Sequence, residues 1–243
     1  MAIAVNGGHI SRALDFYNAP GKYFIIGGTT AWTDESAPDN PKVEDYKLNG
    51  VIGLKRVETT YMVIPTTETE NVISYRNQNW KRVEAYVETK VDPKSVGVSK
   101  GATVVPVESL SLIKVGSRLR INNTYEGTVQ SISGLYVTLD TAAPEDIVPG
   151  SPVLGGAIVE GAKYVYVECH LDYDKFPLEP YRQIGLCSGV TPSSVDILLD
   201  PELAAKYSGT VYDSLGILEI LDNRIVAHRD INQREMLSLI IEF

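Results

Sequence analysis

Residues Cys169-His170-Leu171-Asp172-Tyr173-Asp174 carry the densest set of chemically capable side chains in the sequence. Side chains alternate along a strand, so His170, Asp172 and Asp174 would point one way and offer the donor types of a metal site. The competing reading is a polar strand face that runs into the turn before Pro177, and the pattern favours it. Cys169 and His170 are adjacent and face opposite sides of a strand, so neither can activate the other as nucleophile and base. The remaining histidines, His9 and His228, stand alone. Gly27-Gly28-Thr29-Thr30 has neither the lysine nor the spacing of a phosphate loop, and the glycines of Gly155–Gly161 precede a strand, the wrong order for a dinucleotide fingerprint. Glu145-Asp146 follows a proline and reads as a solvated turn. The sequence therefore offers no catalytic residue, no cofactor-binding residue and no metal ligand. A scaffold or binding subunit is what remains.

The bulk numbers agree with a protein of that kind. The chain has 243 residues, 44% hydrophobic and 22% charged, with a formal net charge of -9. That balance argues against a partner with a phosphate backbone, and no basic stripe with interleaved aromatics exists for single-stranded nucleic acid. Tyrosine outnumbers phenylalanine by 14 to 4, which suits half-buried strands and contact surfaces, because one end of the ring is apolar and the other can be wet. The two cysteines, Cys169 and Cys187, are too few for a disulfide framework and read as reduced thiols. The first residues lack a basic region followed by a long apolar core, so no signal peptide is expected. No apolar run approaches the roughly 20 residues that span a bilayer.

The periodicity predicts mostly strands. Ile10, Ala13, Leu14 and Tyr17 have helical spacing, so His9–Tyr17 is expected as a short helix, followed by a strand over KYFIIGG. Asn40-Pro41 resembles a cap and first turn of a second, short helix, with Val43, Tyr46 and Leu48 facing inward. From Arg56 the period becomes two, with Val57, Thr59, Tyr61 and Val63 on one face and Pro65 closing the strand. NQNW is read as a turn, and Val83, Ala85 and Val87 as the next strand. Between Asp92 and Gly156 aromatics and charge thin out. Leu119 and Ile121 alternate with Arg118 and Arg120, and Ser133-Gly134 is placed as a hairpin link before Leu135, Val137 and Leu139. Gly150-Ser151-Pro152 and Gly155-Gly156 are expected as an exit hinge. KYVYVECHL, LGILEIL and EMLSLIIEF supply later strands, and a helix is expected near Pro201–Tyr207. The expected class is mainly β (a β-rich α+β chain): an antiparallel sheet or sandwich with two or three short helices and an inserted small β-barrel or meander. The main β domain would occupy 1–93 and 156–243, and the insert 94–155.

One stretch resists this scheme. GGTTAWTDESAPDNP, residues 27–41, is built of turn formers and breakers, yet it carries the large indole of Trp32. Either the ring folds back on its own sheet or another chain covers it. Arg182-Gln183 and Asn223-Arg224 pose the same alternative. An arginine makes planar, multi-donor contacts suited to an interface, or it braces its own turns. The bracing role is favoured for Asn223, and Arg182 stays open.

Three segments, YFIIGGTTAWTDESAPDNP, EPYRQIGLCSGVTP and the ending ILEILDNRIVAHRDINQREMLSLIIEF, resemble in this order the baseplate wedge subunit of contractile-tailed bacteriophages, the gene-8-type wedge protein of T-even phages. The resemblance covers roughly 1–93 and 156–243. It implies a mostly β fold and no enzymatic activity. It also implies a homodimer within each wedge, contacts with other wedge and tail-fibre-attachment proteins, and residence in the virion tail after assembly in the host cytoplasm. Under it Trp32, Asp34, Arg182, Gln183 and Arg224 become interface candidates. The rival is a receptor- or carbohydrate-binding tail module, which would need an exposed aromatic-lined groove, for instance on the insert.

Overall fold

The computed structural model describes residues 5–172, 178–192, 205–206, 212–214 and 216–243. In chain order the elements are α1 (Asn6–Asn18), β1 (Tyr23–Gly27), β2 (Gly53–Arg56), β3 (Thr59–Thr66), β4 (Val72–Tyr75), β5 (Gln78–Val83), β6 (Val87–Lys90), β7 (Val104–Pro106), β8 (Arg118–Ile121), β9 (Tyr125–Ser133), β10 (Tyr136–Leu139), β11 (Pro152–Gly155), α2 (Ala157–Glu160), β12 (Tyr164–Leu171), β13 (Tyr181–Ser188), β14 (Thr191–Pro192), β15 (Ala205–Lys206), β16 (Tyr212–Ser214), β17 (Ile217–Ala227) and β18 (Glu235–Glu242). The protein is mainly β with antiparallel sheets, as its alternating patterns predict, and has two short helices among the described residues. It divides into two compact units. One holds residues 1–17, 61–165 and 240–243, the other 18–60 and 166–239.

In the first unit, β6, β11, β8, β9, β10 and β7 form a six-stranded sheet in that order. Val87, Val105, Leu119, Ile121, Tyr125, Val129, Val137, Leu139 and Val153 are among the side chains of its own core. Arg118 and Arg120 lie on the opposite face, where both reach Glu126. Leu119 and Ile121 can therefore be fully buried beside two guanidinium groups, because the pleat separates them. The segment's two ends meet, since Val87 in β6 pairs with Gly155 in β11. The same unit holds the β3-β5-β4 ribbon, in which Met62 opposes Val83 and Ile73 opposes Trp80.

In the second unit the sheet order is β15-β2-β1-β13-β17. β1 is buried along its whole length because both of its sides are paired, to β2 and to β13. Tyr23, Ile25, Leu48, Leu54, Cys187 and Val190 form a core on one face. β17 pairs with β13 alone among the described residues and is an outer strand.

The structure corrects several local expectations. No helix follows Asn40-Pro41; the segment is a turn, and Val43 and Tyr46 are 99% and 77% exposed. Helical spacing there meets no apolar surface to pack on, so propensity alone does not hold a helix. Pro65 lies inside β3 rather than at its end. Gln78, Asn79 and Trp80 belong to β5; the turn is Arg76-Asn77, both at positive φ (47° and 63°). Ala85 lies between β5 and β6, which are two strands. The hairpin link is Gly134-Leu135, because Ser133 pairs with Tyr136, so Leu135 is a half-exposed turn residue. Pro152 and Gly155 sit within β11, not in a hinge: Pro152 pairs with Lys90, and Gly155 pairs with Val87 on one side and Leu119 on the other. The expected helix at Pro201–Tyr207 falls largely outside the described residues, and its Ala205–Lys206 is strand.

Candidate docking surface

Between β1 and β2 the chain makes a loop well beyond the ~12–15 residues common for connections without secondary structure, a length that usually signals function. Its start is set by Gly28, whose φ is +78°. A Cβ there would lie 2.9 Å from both Arg182 Cβ and the Gln183 nitrogen, so only glycine allows the chain to pass this close to β13. Gly28 N then donates to Asn49 O at 2.6 Å, closing the neck of the loop.

The five interface candidates converge on this loop. Arg182 forks onto Glu35, with Nε 2.9 and 3.0 Å from the two carboxylate oxygens and Nη2 2.7 Å from Oε1. Its Nη1 donates to Gly28 O at 3.3 Å. Gln183 is 3% exposed; its Oε1 accepts from Asn49 N at 2.6 Å and its Nε2 donates to Asn223 Oδ1 at 2.8 Å. Asn223 Nδ2 in turn donates to Asp39 O at 2.8 Å. Two amides thus tie both halves of the loop to β13 and β17. Trp32 is half-buried and its Nε1 donates to Arg224 O at 2.9 Å. Arg224 turns its Nη2 to Asp222 at 2.6 Å, while its buried Nε has no hydrogen-bond partner among the described residues. Asp34 is exposed and accepts from Ser36 N and Oγ at 2.9 and 2.6 Å.

Electrostatics follow the contacts. Hydrogen bonds from Arg182, with its charge, hold the Glu35 carboxyl below its usual range despite partial desolvation. Hydrogen bonds from Ser36 do the same for Asp34. Beside the loop, Thr29, Glu35, Glu179, Pro180, Arg182, Val226 and His228 line an open groove of about 510 Å³.

Bracing within the chain is therefore what Arg182, Gln183 and Asn223 visibly do, and Trp32 has an anchor on its own unit. The sequence did not single out Glu35, Asp39 or Asn49. Nothing in their spacing announces partners 134 to 184 residues away, and Glu35 is indistinguishable from Asp34 until the fold is known.

His170 and Asp172 have partners of their own within the chain. His170 Nδ1 lies 2.8 Å from Glu58 Oε2 and Asp172 lies 2.7 Å from Arg234; Asp174 is outside the described residues. No cluster of metal-ligating side chains occurs among the described residues. Cys169 and Cys187 are buried free thiols. Desolvation pushes Cys187 up to about 12 and Cys169 higher still, which leaves little thiolate to act as a nucleophile. Of the insert's two tyrosines, Tyr125 is buried with its hydroxyl on Thr141 O, and only Tyr136 faces solvent.

Residues 1–99 and 150–243 match the model of the family described as "Baseplate wedge 3 tail fiber network component". The chain belongs to that family and is a structural component of a phage tail baseplate, located in the virion. It is also 30% identical over 114 residues to "Virion protein 3" of Enterococcus phage phiEF24C; the match covers 45% of this chain and 58% of that protein, a little over half its length.

Proposed function

We propose that the protein works in the baseplate by shape alone. It offers fixed docking surfaces to neighbouring wedge and tail-fibre-attachment proteins, pairs as a homodimer within its wedge, and transforms no molecule. The pinned Gly28–Asn49 loop carries this reading. A long irregular loop ordinarily loses much entropy when it is ordered by a partner. Here Arg182, Gln183, Asn223 and Trp32 hold it in advance, so that cost is met in the folded subunit. The outer position of β17 supports the dimer, since strand addition at a sheet edge joins chains by main-chain bonds.

Trp32→Ala tests the reading. The variant loses one hydrogen bond and a half-buried ring, a cost of about 1–3 kcal/mol. It is expected to remain soluble and folded by circular dichroism, yet to enter assembled tails poorly when it replaces the wild-type chain during infection. Normal incorporation of a variant whose loop has become protease-sensitive would sink the proposal, as would substrate turnover by the purified chain.

A further inference from the structure

The loop has two halves with different jobs. The bonds described above fasten its roots: Glu35 and Asp39 on one side, Leu48 and Asn49 on the other. Between those roots stands a short tip. Asp45 Oδ2 accepts from Lys42 N at 2.8 Å, and Asp45 N donates to Lys42 O at 3.0 Å. That reciprocal pair closes a tight turn and pushes Val43 and Glu44 to its apex. Val43 is 99% exposed and Tyr46 77%, with the Lys47 ammonium 5.5 Å from the Tyr46 ring. The brace holds Val43 in water, and the mostly exposed Tyr46 follows directly after the turn, so the two form a pair rather than a single scattered apolar residue.

We infer that Asp39–Lys47 is a docking arm, and that its occupant is a cleft with an apolar floor and a basic rim on a different protein of the virion. This rests on the docking role proposed above. Val43 and Tyr46 would fill the floor. Charge identifies the rim. Residues 34–47 carry Asp34, Glu35, Asp39, Glu44 and Asp45 against Lys42 and Lys47. Glu35 is neutralised by Arg182, which leaves four carboxylates facing two lysines. A second copy meeting this tip with its own tip would bring the same excess of carboxylates against it, and like-charged surfaces disfavour each other.

Photo-crosslinking in whole phage tests the assignment. A benzophenone amino acid replaces Val43 or, separately, Tyr46, and a third phage carries it at Ile225 on β17. Purified virions are irradiated and the crosslinked peptides identified by mass spectrometry. The expected result is a crosslink from 43 and 46 to a peptide of another virion protein, with Lys or Arg close to the attachment point. Double substitution Val43→Ser with Tyr46→Ser should lower incorporation into tails at least tenfold at an unchanged melting temperature, and Val43→Leu with Tyr46→Phe should restore it. Crosslinks from 43 and 46 only to this chain, to a second copy, or to DNA overturn the arm. So does silence at 43 and 46 when Ile225 crosslinks, an outcome that leaves the general docking role standing. Absence of the wild-type chain from purified tails overturns both.

Discussion

Arg182 donates to Glu35 and to Gly28 O from a position next to the buried amide of Gln183. A fork of this kind fixes direction as well as distance, so one guanidinium sets where the loop leaves β1. Its loss should show in the pH dependence of stability. The Glu35 pKa lies below its usual 4.5 in the folded protein, chiefly through the Arg182 hydrogen bond. For Glu58 burial pushes upward, but hydrogen bonds from His170 and Lys55 outweigh it and the net shift is also down. A depressed folded pKa means the contribution is complete above the unfolded value and is lost as pH falls through the folded one. Melting temperature should therefore hold from pH 7 to about 5 and decline below the ordinary carboxylate range. Arg182→Gln should lower the melting temperature at neutral pH and flatten that acid decline. An Arg182→Gln curve parallel to the wild type would mean that the pair contributes nothing.

At the scale of elements, the six-stranded sheet shows what the sequence makes legible. Leu119 and Ile121 read correctly as one face because a strand's period of two is a local property, and Arg118 and Arg120 had to take the other. Leu119 is wholly buried in that sheet's core, so Leu119→Ala should cost about 2–5 kcal/mol in denaturant unfolding. A loss below about 1 kcal/mol would mean that the core collapses around the gap. Turns were less legible. Arg76-Asn77 adopts positive φ at both positions, a geometry that Asn-Gly would have announced and Arg-Asn does not. The helix expected after Pro41 failed for another reason: cap and spacing are local, whereas the surface that a helix must bury against is not. The docking surface was half visible. The tryptophan among breakers located the loop, and Arg182, Gln183 and Arg224 do bond to it within the chain. Their partners Glu35, Asp39 and Asn49 depend on how β13 and β17 lie in the sheet, which no window of sequence encodes.

For the whole molecule, a net charge of -9 works against self-association, so the proposed dimer needs a short, specific contact. The proposed homodimer would use β17, a long outer strand among the described residues with Ile217 and Ile225 exposed. Sedimentation equilibrium of the wild type is expected to give the mass of two chains, and Ile225→Lys, which places a charge on that edge, should give one. A wild-type monomer, or a dimer indifferent to Ile225→Lys, would move the contact elsewhere. The pairing of Val87 with Gly155 has a practical consequence of its own. A stretch that leaves and rejoins the chain at neighbouring points can be exchanged for a foreign domain, such as a fluorescent reporter, without rerouting the polypeptide on either side. Phage tails could then be lit from within at this position and followed under a microscope.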